Sequence, residues 1–493
     1  MKHVKQLLSA LLVLAVVLSL LPAGVLKASA AEAPAALDIG YPTFKNTELL
    51  DEVYDLSKLG VSYSEKDIMM AIYKQDLANG GDSFYMDRIL AREGVCNGNA
   101  GSNGNADGNT FLTRGRALYM YTSSPSVIGF GGNTAYHQPL GRGDLVRILF
   151  SNADGSLTTK EDTSKRVNAP SNWSSTYSVG SNLTLDIVKF IHQENVAVTT
   201  MTLTNKSAED QAITVAADSI FATEPGKVTV NGAEQTELTG TCSSPAGLTT
   251  IYARMTGDGF EAASSDDYCW LSRDVTVPAG GSVELKVVIA FTTEEIPEST
   301  EQYLRFAGLG NLEAVRAQKA EYNLYWAENL PYIDVPKKAV QKAIDYRWWL
   351  ERFNSLDANI PGYDYQYPVT IEGVLGYNNA IILTQPMHLQ DTKWLRSPYL
   401  AYGQLLSAGN SSQSSAFLDN PGNRNNWNNH YGQYLAEAGY EAFNVIGGGA
   451  EVAENFAYYF GHDATGQLEH YGNHIEGRDL IAYRNNYMTG NDA

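Results

Sequence analysis

The sequence predicts a multidomain β + α protein, an antiparallel β-sandwich followed by part of a helical toroid. Three observations predict it. Up to about Phe291 the chain runs in short, alternating, Thr/Val-rich stretches broken by turn signals. After Glu294 the apolar period becomes helical. The loops between the later helical stretches are long and rich in Asn, Gly, Tyr and Trp, which suits helical hairpins that close a cleft at one end.

The elements follow in chain order. Lys2 and Lys5 precede an apolar run from Leu7 to Leu21, and Ala28-Ser29-Ala30 fits a small-residue cleavage site, so residues 1–30 are expected to be a signal peptide and the mature protein to be secreted. No later stretch has the roughly 18 unbroken apolar residues of a membrane span. Residues 31–294 form the sandwich-like domain, with an early helix near Glu65 to Gln75. AVTTMTL (Ala197 to Leu203), ITVAA (Ile213 to Ala217) and SVELKVVI (Ser282 to Ile289) are strands, punctuated by turns at Asn152 to Gly155, Asn231-Gly232 and Ala279 to Gly281. Gly129 to Gly132 reads as a further turn.

Residues 295–335 read as a linker helix whose stripe is Leu312, Val315, Tyr322 and Trp326. Pro336 then stands at a first-turn position and opens PKKAVQKAIDYRWWLERF. Tyr399 to Ala408, Trp427 to Val445 and Ala450 to Phe460 are further helices.

Composition narrows the function. The 493 residues carry 35 Lys plus Arg against 55 Asp plus Glu, a net charge of -20. Nucleic acid is therefore excluded as an expected partner, and polyanionic polysaccharides are disfavoured for the same Coulombic reason. Cys242 and Cys269 lie in the strand-rich region; a bridge between them would contribute about 3 kcal/mol, and small buried hydrophobes are the equal alternative. Asn103, Asn105, Asp107 and Gly108 match the first half of a calcium loop, but Arg114 stands where the bidentate Glu belongs, so a solvated Gly/Asn loop is expected and no metal. No GxSxG elbow or HExxH helix occurs.

Carboxylates, amides and aromatics concentrate in the helical half. Glu372, Asp391, Asp419, Glu476 and Asp492 all stand in its polar loops. Aromatic platforms, amide hydrogen bonds and paired carboxylic acids are what binding and cleaving a neutral sugar needs. For single residues plainer roles compete: Asp391 and Asp419 as helix N-caps, and Trp348, Trp349 and Trp394 as core.

Three runs stand in order in this half: Gln390-Asp391-Thr392-Lys393-Trp394, then Asn426 through Tyr434 (NWNNHYGQY), then Thr489-Gly490-Asn491-Asp492. Together they resemble the six-hairpin (α/α)6-barrel glycoside hydrolases, especially those related to trehalase, the processing oligosaccharide glucosidases and mannosylglycerate hydrolase. The first run is similar to the W-D-S/T-x-F/W element that lines the sugar site, with Gln390 in place of its Trp. The second resembles the following cleft-facing helix start. The third resembles the E-S-G-x-D element, with Met488 and Thr489 in place of its Glu and Ser.

The resemblance covers residues 336–493 and implies inverting hydrolysis without cofactor or metal. Asp492 would be the general acid. Asp391, Trp394, Trp427, Asn429, Tyr431, Gln433 and Glu372 would bind the sugar. A second carboxylate, about 6.5–9.5 Å from the first, would activate water; the family's base is a Glu well C-terminal of the acid, so residues 336–493 are expected to be the first part of a barrel and the chain an N-terminal fragment. Two other classes remain open. A polysaccharide lyase would use Asn429, His430 and Tyr431 around an acidic sugar. A non-catalytic carbohydrate-binding protein would need no base.

Overall fold

A computed structural model describes residues 128–131, 144–168, 171–243, 250–265, 268–294, 297–331, 335–356, 367–370, 384–411, 417–418, 428–429, 435–448, 450, 452–456, 473–475 and 480–482. The signal-like segment, the early helix and the Asn/Gly loop at 97–109 lie outside these residues. The β-rich part runs β1 (Ile128–Gly131), β2 (Asp144–Asn152), β3 (Gly155–Ser156), β4 (Thr159–Asn168), β5 (Trp173–Val179), β6 (Leu183–His192), β7 (Val196–Asn205), β8 (Gln211–Ser219), β9 (Glu224–Val230), β10 (Ala233–Ser243), β11 (Thr250–Gly257), β12 (Glu261–Ser265), β13 (Tyr268–Val277) and β14 (Ser282–Thr292). One sheet has the order β1-β2-β8-β13-β12, with β3 beside β2; the other is β4-β5-β6-β7-β14-β11-β10-β9.

The core lies between the sheets. Leu185 and Ile187 of β6, opposite Leu203 and Met201 of β7, pack with Ile213, Val215 and Ala217 of β8 and Leu271 of β13. Residues two apart point to one side of a strand, so the intervening residues of β6, β7 and β14 face away from this core. At one end of these strands they too are apolar: Phe190, Val196, Val198, Val288 and Ala290 form a second cluster with Tyr303, Phe306, Ala307 and Ala314 of two helices. Those helices are α1 (Pro297–Gly308) and α2 (Asn311–Asn329). The eight-stranded sheet is thus covered on both faces where these residues lie, so parts of β7 and β14 are buried continuously although AVTTMTL and SVELKVVI alternate with polar letters.

Polar contacts fix the helices on the sheet. Phe306 meets Phe190 edge-on at 5.3 Å. The Tyr303 hydroxyl donates to Glu237 Oε2 at 3.0 Å, and Arg254 holds both oxygens of that carboxylate at 3.1 Å. Burial, then the negative Glu237 beside it, raises the Tyr303 phenol well above its ordinary value, so it stays a donor. Asn311 Nδ2 donates to the carbonyls of Met201 and Leu285, both at 3.1 Å. The Asn231-Gly232 turn joins β9 to β10 with φ of 49° and 79°, the positive-φ pair of a type I′ hairpin. Asn231 Nδ2 then donates to the Gly308 carbonyl at the end of α1.

The helical half adds α3 (Lys338–Asn354), α4 (Gln385–Thr392), α5 (Tyr399–Ser411) and α6 (Leu435–Ile446). Arg352 ties α3 to α2: its guanidinium lies 3.9 Å from the Tyr322 ring centroid and 3.8 Å from that of Tyr325, and it donates to the Tyr322 carbonyl. Helix α4 packs against α3, α5 and α6.

Several expectations need correction. Gly129 to Gly131 is strand, not turn: a Cβ on Gly129 would stand 1.9 Å from the Val146 carbonyl oxygen, so glycine serves close strand approach. The Gly129 carbonyl also accepts from the buried Lys189 Nζ at 2.6 Å. The single helix read through 301–330 is two, broken at Leu309-Gly310, and 297–329 seals the sheet rather than merely linking. Leu312 leaves the stripe and is 60% exposed, whereas Tyr322 and Trp326 are buried. Pro336 precedes the N-cap Lys337 instead of standing in the first turn. Residues 428–429 pair as a short strand with 417–418, and helix begins only at Leu435, so the second resemblance run is not a helix start there. Cys269 is a buried free thiol, so no bridge to Cys242 forms.

His192 anchors α2. Its Nε2 donates to Glu321 Oε2 at 2.8 Å, because Nδ1 accepts from the Glu194 amide at 3.2 Å. Arg305 of α1 pairs with the other Glu321 oxygen at 2.5 Å. Burial acts to raise the Glu321 carboxyl, but His192 and Arg305 together outweigh it and lower it from 4.5 to about 2. A carboxyl depressed in the fold contributes stability that is present above pH 4.5 and lost as pH falls toward 2. Glu321→Gln is therefore expected to flatten this part of the acid limb in denaturant titrations between those pH values; an unchanged limb would show that the triad does not couple protons to folding.

Candidate functional site

The predicted sugar-site run falls at the C-terminal end of α4. Asp391 is in the last turn, not at an N-cap. A carboxylate there opposes the helix dipole, and Arg347 of α3 compensates it through two hydrogen bonds, Nε to Oδ1 at 3.0 Å and Nη2 to Oδ2. The same pairing, by hydrogen bond first, raises the Arg347 guanidinium further. Trp348 Nε1 donates to the Asp391 carbonyl at 3.0 Å. Lys393 is buried and donates to Glu441 of α6 at 2.6 Å and to Gln390. Hydrogen bonds from Lys393, contributing most, and from Gln390 lower the Glu441 carboxyl. Trp394 is 53% exposed, so it is not core, unlike Trp348 and Trp349.

A second set of polar groups lies along the same helix, on residues that, Trp348 aside, sequence reading did not single out. Trp348, Glu351 and Ser355 recur at helical spacing on α3 and at its end, facing Gln385, His388 and Thr392 of α4 and its flank. His388 Nδ1 lies 2.7 Å from Glu351 Oε1; an ionised carboxylate only accepts, so the ring nitrogen donates. Ser355 Oγ donates to the Glu351 carbonyl at 2.6 Å and lies 3.3 Å from Thr370 Oγ1. Gln385 Nε2 donates to the Thr370 carbonyl at 2.9 Å, which fixes the amide's orientation. Gln404 Nε2 donates to Thr392 Oγ1 at 3.4 Å.

These contacts leave acceptors over. Glu351 Oε2, Gln385 Oε1 and Gln404 Oε1 are buried with no hydrogen-bond donor among the described residues. An orphaned buried acceptor costs about 1–3 kcal/mol, so three in one helical layer are a departure from ordinary packing. The signal was present in the sequence: Glu351 falls three residues after Trp348, on the stripe that should be apolar.

Of the predicted site residues the structure brings Asp391 and Trp394 together at one helix end. Asn429 lies in the short strand 428–429, and its side chain is outside the described residues. Glu372, Trp427, Tyr431, Gln433 and Asp492 lie outside the described residues altogether. Among the described residues no group of three or more His, Cys, Asp or Glu side chains is placed to hold a metal, and no helix is long and apolar enough to cross a membrane.

No family model matches the chain. It resembles several solved structures distantly. A chain described as a kojibiose phosphorylase from the human microbiome shares 10% identity, with 67% of this chain and 53% of that one covered and a TM-score of 0.47. A family GH92 inverting mannosidase from Bacteroides thetaiotaomicron shares 15% identity over 71% of this chain and 55% of its own, with a TM-score of 0.40. A family GH92 alpha-mannosidase from the same organism shares 9% over 78% and 57%, with a TM-score of 0.39. The chain spans about half the length of these structures.

The Lys393–Glu441 pair yields an asymmetric expectation. Glu441→Ala strands the buried Lys393 ammonium and should lower the urea midpoint clearly. Lys393→Met keeps the volume and leaves an exposed carboxylate in water, so it should cost clearly less. Urea denaturation of both variants checks this; equal costs would mean the pair does not hold α4 to α6.

Proposed function

We propose that this chain belongs to a secreted glycoside hydrolase acting on a neutral oligo- or polysaccharide with inversion, its helical part being a portion of an (α/α)6 toroid of the trehalase-related kind. The observation that carries the reading is the helix α4. It joins the Gln390–Trp394 run, with its exposed Trp394, to an acceptor-rich buried face opposite Trp348. Sugars present hydroxyl donors and apolar ring faces, and this mixture suits both.

In this reading Asp492 protonates the departing glycosidic oxygen, a role that calls for a raised pKa through burial or a neighbouring carboxylate. A second carboxylate C-terminal of it activates water on the opposite face of the ring. Trp394, Trp427 and Tyr431 face the sugar ring, while Asn429, Gln433 and Glu372 hydrogen-bond its hydroxyls. Asp391 contributes through the geometry it shares with Arg347.

The test is hydrolysis of neutral glycosides by a longer form of the chain, followed by proton NMR of the anomeric product. Inverted product is expected, with Asp492→Asn lowering kcat at least about a hundredfold. Unchanged turnover in that variant would contradict the assignment. An ultraviolet-absorbing unsaturated product would point to the lyase class instead, and saturable sugar binding without turnover to a binding protein.

A further inference from the structure

We propose that Glu351 Oε2 and Gln385 Oε1 form a hydroxyl-binding subsite between α3 and α4, taking two neighbouring hydroxyl groups of a neutral sugar or cyclic polyol. The proposal rests on the carbohydrate reading for the choice of ligand, and on geometry for the site.

Both side chains are more than nine-tenths buried, and both oxygens are acceptors without a donor among the described residues. They are linked through His388. Its ring nitrogen binds Glu351 Oε1 at 2.7 Å, and it stands three residues after Gln385 on α4, so the two side chains are neighbours on one helix face. The remaining groups are committed. Gln385 Nε2 is used by the Thr370 carbonyl and Ser355 Oγ by the Glu351 carbonyl. The two leftover oxygens therefore ask for donors, which matches a pair of O–H groups.

A cation is the less suitable occupant. The site holds one carboxylate, and the Arg347 guanidinium stands one turn before it on α3, while His388 already donates to it. A hard cation needs more oxygens and more negative charge than Glu351, Gln385 and the nearby hydroxyls give. A neutral donor completes the hydrogen bonding without changing the charge.

The experiment uses the full chain with D-glucose, D-galactose and D-mannose as separate probes, and calcium chloride as a control. At least one sugar is expected to raise the melting temperature and to slow amide hydrogen exchange over residues 385–392. Glu351→Gln and Gln385→Met are each expected to weaken that sugar's binding at least about tenfold, the scale of losing one hydrogen bond to a ligand. Silence of all three sugars, undiminished binding by both variants, or a calcium response in place of the sugar response overturns the proposal. If the variants do not fold, exchange in the unaltered chain decides. Sugar binding that both variants retain sinks this subsite and leaves the hydrolase reading standing, because that reading is tested by the product formed and by Asp492→Asn.

Discussion

The two-sided burial of the eight-stranded sheet is the constraint on which the rest of the structure depends. A sheet in a simple sandwich shows one face to water. Here β6, β7 and β14 carry apolar residues on both faces, and the outer set is usable only if α1 and α2 cover it. Burying a side chain such as Phe306 is worth about 1.5–3 kcal/mol relative to leaving it exposed, so the helices are bound to the sheet by the same hydrophobic term that forms the sandwich. The directional contacts then choose one docking: Tyr303 on Glu237, Asn311 on two strand carbonyls, and His192 with Glu321. From α2 the chain of contacts passes to α3 through the Arg352 stack, and from α3 to α4 through Arg347, Trp348 and Glu351.

The contacts along that chain change in character. Over the sheet the packing is mainly apolar, and the polar contacts that dock the helices are paired. Between α3, α4 and α5 the interior is polar, and several acceptors are left over. Natural proteins concentrate such departures where a ligand is handled. Two ion pairs, Asp391 with Arg347 of α3 and Lys393 at the end of α4 with Glu441 of α6, hold a short helix of low intrinsic stability in place.

What could be read in the sequence divides along physical lines. Strands with alternating Thr/Val-rich letters and the Asn231-Gly232 turn were legible because pattern and turn chemistry are local. The Gly129 strand was not, since its glycine answers to Val146 across the sheet rather than to its own neighbours. The break between α1 and α2 was signalled by Gly308 and Gly310, yet the period continues across it and hides it. Leu312 fitted the stripe by letter and is exposed in the structure. Asp391 looked like a cap because its loop context was ambiguous; its place in the last turn is set by Arg347, distant in sequence. Glu351 was missed because a charge within an amphipathic helix usually lies on the wet face, and only the spacing from Trp348 argued otherwise.

The account stands on α1 and α2 being part of the sandwich's cooperative unit. Native-state hydrogen exchange tests it most directly. Amides within 303–307 and 314–326 should exchange through the same global opening as those of 196–203 in β7, with a common free energy and a common denaturant slope. If the helical amides instead exchange through a separate opening of much lower free energy, while β7 stays protected, the sheet does not depend on its helical cover and the central claim is wrong.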